Sequence, residues 1–273
     1  MQSPDPQDDM YGTGDGRDPD ARLAPAPWFE AFAVALAFFT RLPVRPAAVH
    51  PLSACALAFA PVGALIGATV GIVFLLLDGL GLPALVAALL ALGCGLVLTG
   101  ALHEDGLADT TDALGRNDRT AALEIMRDSR MGAFGGLALV LSLGLRGAAI
   151  AVLPGWIGLA ALIGAHAFSR AVLAVAMERL APARTDGLGA AAGRPRAREA
   201  IQALGLGAAI ALVAALLFAG LGAGLFALIV GATVGLGGLE VARRRFGGYT
   251  GDVLGALQQI VEAAMLIAFT AYF

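Results

Sequence analysis

Residues 83–115 read PALVAALLALGCGLVLTGALHEDGLADTTDALG: an apolar run, then a segment crowded with carboxylates. The run 83–102 carries no charge and, as a helix, is long enough to cross a bilayer core of ~30 Å. From His103 to Gly135 the chain then places seven carboxylates in otherwise greasy sequence. Three of them, Asp105, Asp109 and Asp112, stand at i, i+4 and i+7, which on a helix confines them to an arc of roughly 60°. Acids stacked this way repel one another, so a bound cation is the expected compensation, and hard oxygen ligands favour Mg²⁺, Mn²⁺ or Ca²⁺. Carboxylates at a membrane boundary are also costly unless paired or coordinated. The helix of the apolar run is expected to continue through Ala113 and to break at Gly115.

Working outward, 58% of the 273 residues are hydrophobic and 14% charged, with mean hydropathy +0.79. A soluble domain carries about 25% charged residues. The fold class is therefore all-α: a polytopic integral membrane helical bundle, with spans expected at about 52–77, 83–102, 133–153, 156–177, 203–219, 221–239 and 252–273. The run Phe29–Phe39 is too short to cross and contains Glu30, so an interfacial or re-entrant helix is expected there. Residues 28–273 read as one membrane-embedded domain. The first 27 residues hold five Pro and six Asp with no long apolar run and read as a disordered tail.

All eighteen basic residues are Arg. Sixteen fall before the first span or in 103–132, 178–200 and 240–250, and the alternate turns carry none. By the positive-inside rule these segments, and the acidic motif with them, face the cytoplasm. The expected partners are the bilayer and phosphate-bearing small molecules, with no nucleic acid; a homo-oligomer is compatible with the chain. The 37 glycines lie largely in spans, where small residues let helices approach. Cys55 and Cys94 read as small packing residues.

Other candidates lie on the same face. Asp128, flanked by Arg127 and Arg130, could complete a metal shell or cap a helix, and guanidinium forks suit phosphate oxygens. Arg170 sits inside a span and must face the site or a carboxylate, whereas Arg146, farther toward the outer side, suits helix pairing. Asp252 starts the last helix and reads as its N-cap or as part of the site. Glu262, about ten residues deeper, needs a buried partner such as Arg170. His103 beside Glu104 reads as a hydrogen-bonded bystander. Without Lys, a Walker A phosphate loop is excluded. The loops ARTDGLG (183–189) and GGYTGD (247–252) can meet the acidic motif at one cytoplasmic face.

HEDGLADTTDALG, EIMRDSRMGAFGGLAL, LAFFTRLPV, ARTDGLG and GGYTGDVLGA together resemble the adenosylcobinamide-GDP ribazoletransferases, the cobalamin (5′-phosphate) synthases, over residues 35–273. The resemblance implies transfer of phosphocobinamide from adenosylcobinamide-GDP to α-ribazole or its 5′-phosphate with release of GMP. It implies Mg²⁺, an inner-membrane location and a distant likeness to CDP-alcohol phosphotransferases. By motif position Asp105, Asp109, Asp112 and Asp128 take the metal and catalytic role, with Arg41, Asp252 and Glu262 at further family positions; one acid, Asp112 or Asp128, would accept the hydroxyl proton. Arg127, Arg130 and Arg170 are the accompanying phosphate-binding candidates. The chain departs from the pattern at Glu104, where an apolar residue is usual, and at Gln259, where an acid is usual. Two other readings stay open: a CDP-alcohol phosphotransferase acting on a lipid, disfavoured by Ala108-Asp109 where those enzymes carry Ala-Arg, and a non-enzymatic transporter, disfavoured by carboxylates gathered at one edge.

Overall fold

The computed structural model describes residues 25–128 and 130–273, and the expected tail lies, up to residue 24, outside the described residues. What is described is all-α, with one isolated bridge between Pro182 and Tyr249. The elements are α1 (Trp28–Phe39), α2 (Phe59–Gly79), α3 (Ala84–Thr99), α4 (Leu102–Leu114), α5 (Arg119–Ile125), α6 (Ala133–Val152), α7 (Gly155–Arg179), α8 (Gly187–Ala191), α9 (Ala197–Phe218), α10 (Leu221–Val241) and α11 (Gly251–Thr270). A 3₁₀ turn, Leu52–Ala58, leads into α2, and a π-helical turn, Ala242–Phe246, ends α10. Among the described residues six helices are long and apolar enough to cross a membrane, seven if α3 and α4 form one bent span.

The axis of the bundle is α7, buried along most of its length between α2, α9 and α11. Close packing against it depends on missing side chains: a Cβ on Gly63 or Gly67 of α2 would run into the carbonyls of His166 and Leu162 on α7. The outer helices turn large apolar side chains outward, among them Leu137, Val140 and Leu141 of α6 and Leu216 and Leu217 of α9, as a bilayer requires. Short α1 leaves Phe29 exposed at one end and buries Phe39 completely at the other, which suits a helix that dips into the bundle without crossing.

One expected feature changes. The second span and the acidic helix are not a single rod: α3 stops at Thr99, and α4 leaves it at 93°. The break is made by two successive left-handed residues, Gly100 (φ 66°) and Ala101 (φ 56°), the latter the one non-glycine with positive φ among the described residues. A left-handed alanine costs roughly 1–2 kcal/mol, so packing must hold the corner. Arg41 does so in part, its backbone N–H donating to the Leu98 carbonyl at 2.8 Å while its side chain crosses Gly100.

Candidate active site

The corner lays α4 along the first turns of α11. Contact is close because two glycines meet it: a Cβ on Gly106 would stand 2.7 Å from the Asp252 carbonyl, and one on Gly255 would stand 3.2 Å from the His103 backbone. Gly106→Ala is therefore expected to push α4 off α11 and to lower transfer at least ~10-fold, since small misplacements of reacting groups are severe; a steady-state assay beside a thermal melt reads it.

With α4 so placed, Asp109 lies among the charges of Asp105, Asp112 and Asp252, and the side chains of Asp105 and Asp109 make no hydrogen bond or ion pair among the described residues. Desolvation first, then the charges of Asp105, Asp252 and Asp112, push the Asp109 carboxyl up to about 6. Asp252 itself meets Arg184 (Nη2 to Oδ2, 2.9 Å) and the Thr250 hydroxyl (3.2 Å). It is not the N-cap of α11; Thr250 is, its hydroxyl accepting from the Val253 N–H at 3.2 Å.

The other two carboxylates of the expected metal set are engaged elsewhere. Asp112 accepts the backbone N–H groups of Gly132 (2.7 Å) and Gly135 (2.9 Å), so it closes the N-terminus of α6, where unpaired amides favour an anion. Asp128 accepts from the Arg130 guanidinium (2.6 Å) and backbone N–H (3.1 Å), and that arginine holds its carboxyl below the usual range. Arg127 reaches Asp186 at 2.5 Å instead of turning to Asp128. Of the set expected from Asp105, Asp109, Asp112 and Asp128, the structure brings Asp109 among the charges of Asp105, Asp112 and Asp252, and bonds Asp112 and Asp128 to groups of the protein itself. Carboxylate donors suit a hard divalent cation. Among the described residues no three acidic, His or Cys side chains stand in ligand geometry, so a cation would have to draw them together.

Three loops do converge here. The segment after α7 pairs with the one before α11, Ala183 N–H donating to the Tyr249 carbonyl (2.7 Å) and Tyr249 N–H to the Ala181 carbonyl (3.0 Å). Arg245 from the π-helical turn caps α4 by donating to the carbonyls of Leu114 (3.0 Å) and Arg116 (2.7 Å). Between the loops lies a cleft of about 160 Å³ lined by Met126, Arg184, Asp186, Tyr249, Thr250 and Asp252. Sequence reading did not single out Arg184; its position in ARTDGLG was the available signal.

Arg170 and Glu262 do not line this cleft. Both are buried in the bundle, Glu262 fully, and they belong to one network. Glu262 takes Arg146 at 2.8 Å, His166 Nδ1 at 2.9 Å, the Gln258 amide at 2.6 Å and Arg170 at 3.7 Å. Arg146 also reaches Glu104 at 3.2 Å, and Gln259 donates to the same Glu104 oxygen at 3.0 Å. The two positions that depart from the family pattern therefore touch each other. Arg146 pairs helices as expected but sits at the centre of the network, and His166, missed in the sequence, was signalled only by being a histidine within a span. His103 packs on Phe39 with ring centroids 5.6 Å apart, and the Arg170 guanidinium lies over the same Phe39 ring, 5.8 Å from its centroid.

A membrane helical bundle that gathers carboxylates and arginines beside a cleft at one end has the form of a membrane-embedded enzyme for phosphate-bearing substrates. The chain belongs to the cobalamin-5-phosphate synthase family, whose model matches residues 31–270. Similar proteins include the adenosylcobinamide-GDP ribazoletransferases of Bradyrhizobium diazoefficiens, 41% identical over 244 residues (88% of this chain, 92% of that protein), and Azorhizobium caulinodans, 42% identical over 251 residues (87% and 94%). That of Mesorhizobium japonicum is 41% identical over 253 residues, covering 91% of this chain and 96% of its own length. No solved structure matches the chain, and the likeness to CDP-alcohol phosphotransferases rests on the spaced aspartates alone. Family membership sets aside the lipid and transporter readings.

Proposed function

We propose that this protein is an adenosylcobinamide-GDP ribazoletransferase of the bacterial inner membrane with its acidic face toward the cytoplasm. The observation that carries the chemistry is Asp109, which lies among the charges of Asp105, Asp112 and Asp252 with no side-chain partner among the described residues, next to the Arg184 cleft that Asp252 lines. Cytoplasmic orientation is supported by the arginine distribution, since the converging loops are the arginine-bearing ones.

Asp105, Asp109 and Asp252 would hold Mg²⁺, which when bound supplies neutralisation of pyrophosphate charge. The ribazole 3′-hydroxyl attacks the phosphorus attached to the cobinamide arm, the pyrophosphate bond breaks, and GMP leaves. Arg184, and Arg127 or Arg130 after release from their acidic partners, are placed to bind phosphate oxygens as charge shifts to the leaving GMP. With Asp112 and Asp128 engaged, the hydroxyl proton passes to Asp105 or Asp109. Arg41, at the α3–α4 corner, orients α4.

The test is incubation of purified protein with adenosylcobinamide-GDP, α-ribazole or its 5′-phosphate, and Mg²⁺, following GMP and cobalamin. Both products are expected in equal amounts, lost on EDTA treatment and restored by Mg²⁺. No product from a folded, monodisperse sample would overturn the reading. Because a proton competes with the cation at Asp109, the Mg²⁺ concentration for half-maximal rate should rise as pH falls below about 6.

A further inference from the structure

Helix α4 carries the reacting carboxylates yet begins without support of its own. Its N-cap, Ala101, is left-handed and offers no side-chain cap, and its axis turns 93° from α3. Something else must fix its rotation, because adjacent residues on a helix point ~100° apart and a modest roll would turn Asp105 and Asp109 away from Asp252. At the far end Asp112 holds the N-terminal amides of α6 at 2.7 and 2.9 Å. In the first turn, the polar group that reaches neighbouring helices is Glu104, 8% exposed. It meets Arg146 of α6 at 3.2 Å and the Gln259 amide of α11 at 3.0 Å.

We propose that Glu104 is a positioning residue: held between Arg146 and Gln259, it sets the roll of α4 and thereby aims Asp105 and Asp109 at Asp252. Charge is the reason the contact is firm. The network holds two carboxylates, Glu104 and Glu262, and two guanidinium groups, Arg146 and Arg170, all buried. Glu262 is surrounded by Arg146, His166, Arg170 and Gln258, so the second negative charge must come from a neighbour that can face Arg146. Glu104 supplies it from α4. Its hydrogen-bond partner Gln259 has nearly the same shape as a glutamate, so the charge can be moved across the contact without changing the number of buried charges or the volume filled.

The experiment follows from that symmetry. It rests on the reading of Asp105 and Asp109 as the reacting carboxylates, so wild type and Asp109→Asn are assayed in parallel: an inactive wild type, or an active Asp109→Asn, defeats that reading. Given an active wild type, Glu104→Gln is expected to lower kcat by about 10- to 100-fold with KM for adenosylcobinamide-GDP within about 2-fold, the pattern of groups misaligned after binding. The double variant Glu104→Gln/Gln259→Glu, which returns the charge from the α11 side, is expected to recover kcat to within a few-fold of wild type. If Glu104→Gln does not fold, the double variant carries the test alone. Full kcat in Glu104→Gln, or no recovery in the double variant, would overturn the proposal.

Discussion

Asp109→Asn is expected to lower transfer about 10³-fold, in line with losing one preorganised charge at a phosphoryl-transfer site, while leaving the metal-free protein more stable at neutral pH. Both effects come from one cause. In the folded chain the Asp109 carboxyl is pushed up to about 6 by desolvation and by Asp105, Asp252 and Asp112, whereas in an unfolded chain it titrates near ~3.9. Between those values the folded state binds more protons than the unfolded state. Stability contributed at this position is then present at low pH and lost as pH rises through about 6. Asparagine removes the penalty. Melts of metal-free wild type and variant should therefore draw apart as pH rises from about 4 to about 6, with the variant higher, and stay apart above that. Saturating Mg²⁺ should reverse the order, because only wild type binds the ion with its full set. A variant that keeps its activity at saturating Mg²⁺, or melts below wild type at pH 7.5 without metal, contradicts the assignment. The trade of stability for activity at this position is the one expected where charges are held together for catalysis.

How much of this could be read from the chain depends on the distance over which each feature is encoded. The spans and the short α1 follow from local apolar length, and α4 follows from a period of 3.6 within thirteen residues. Gly100 was visible, but the left-handed Ala101 behind it was not, since nothing in an alanine announces a conformation imposed by packing. For the same reason the acidic helix was extended straight from α3. Asp105 and Asp109 were candidates because their spacing is the signal, and the fold keeps them close enough for the charge of one to act on the other. Asp112 shares that spacing, yet its role is set by the amides of Gly132 and Gly135, twenty or more residues away. Asp128 was singled out because acids near arginines suit phosphate sites, and the arginine it meets is Arg130, two residues away. Arg170 and Glu262 were recognised as needing partners; their distance from the cleft is a matter of depth along α7 and α11. The contact of Glu104 with Gln259 joins residues 155 apart and no local pattern could contain it.

That network has the largest stability consequence in the molecule. Glu262→Ala is expected to destabilise the bundle by about 3–5 kcal/mol, the cost of breaking a buried charge arrangement by removing one partner. The side chain is wholly buried, with Arg146 at 2.8 Å and His166 at 2.9 Å. Its removal would leave Arg146 and Arg170, both buried, facing a single carboxylate, Glu104. Glu262→Gln keeps the volume and the hydrogen bond from Gln258 and should fall between wild type and alanine. Removing the facing charges together should cost less than removing one: Arg146→Met/Glu262→Leu leaves Arg170 and Glu104 as one positive and one negative group, and is expected to melt above Glu262→Ala. Thermal denaturation of the three variants in the same detergent gives the order. If Glu262→Ala melts with wild type, the network is wet and weak, and the rigidity of α11 that Asp252 relies on must come from apolar packing such as Val261, Met265 and Phe269, all fully buried. If the double variant melts above Glu262→Ala yet transfers no better, the charges serve the alignment of α4 as well as the stability of the bundle, because Glu104 has lost the arginine that holds it.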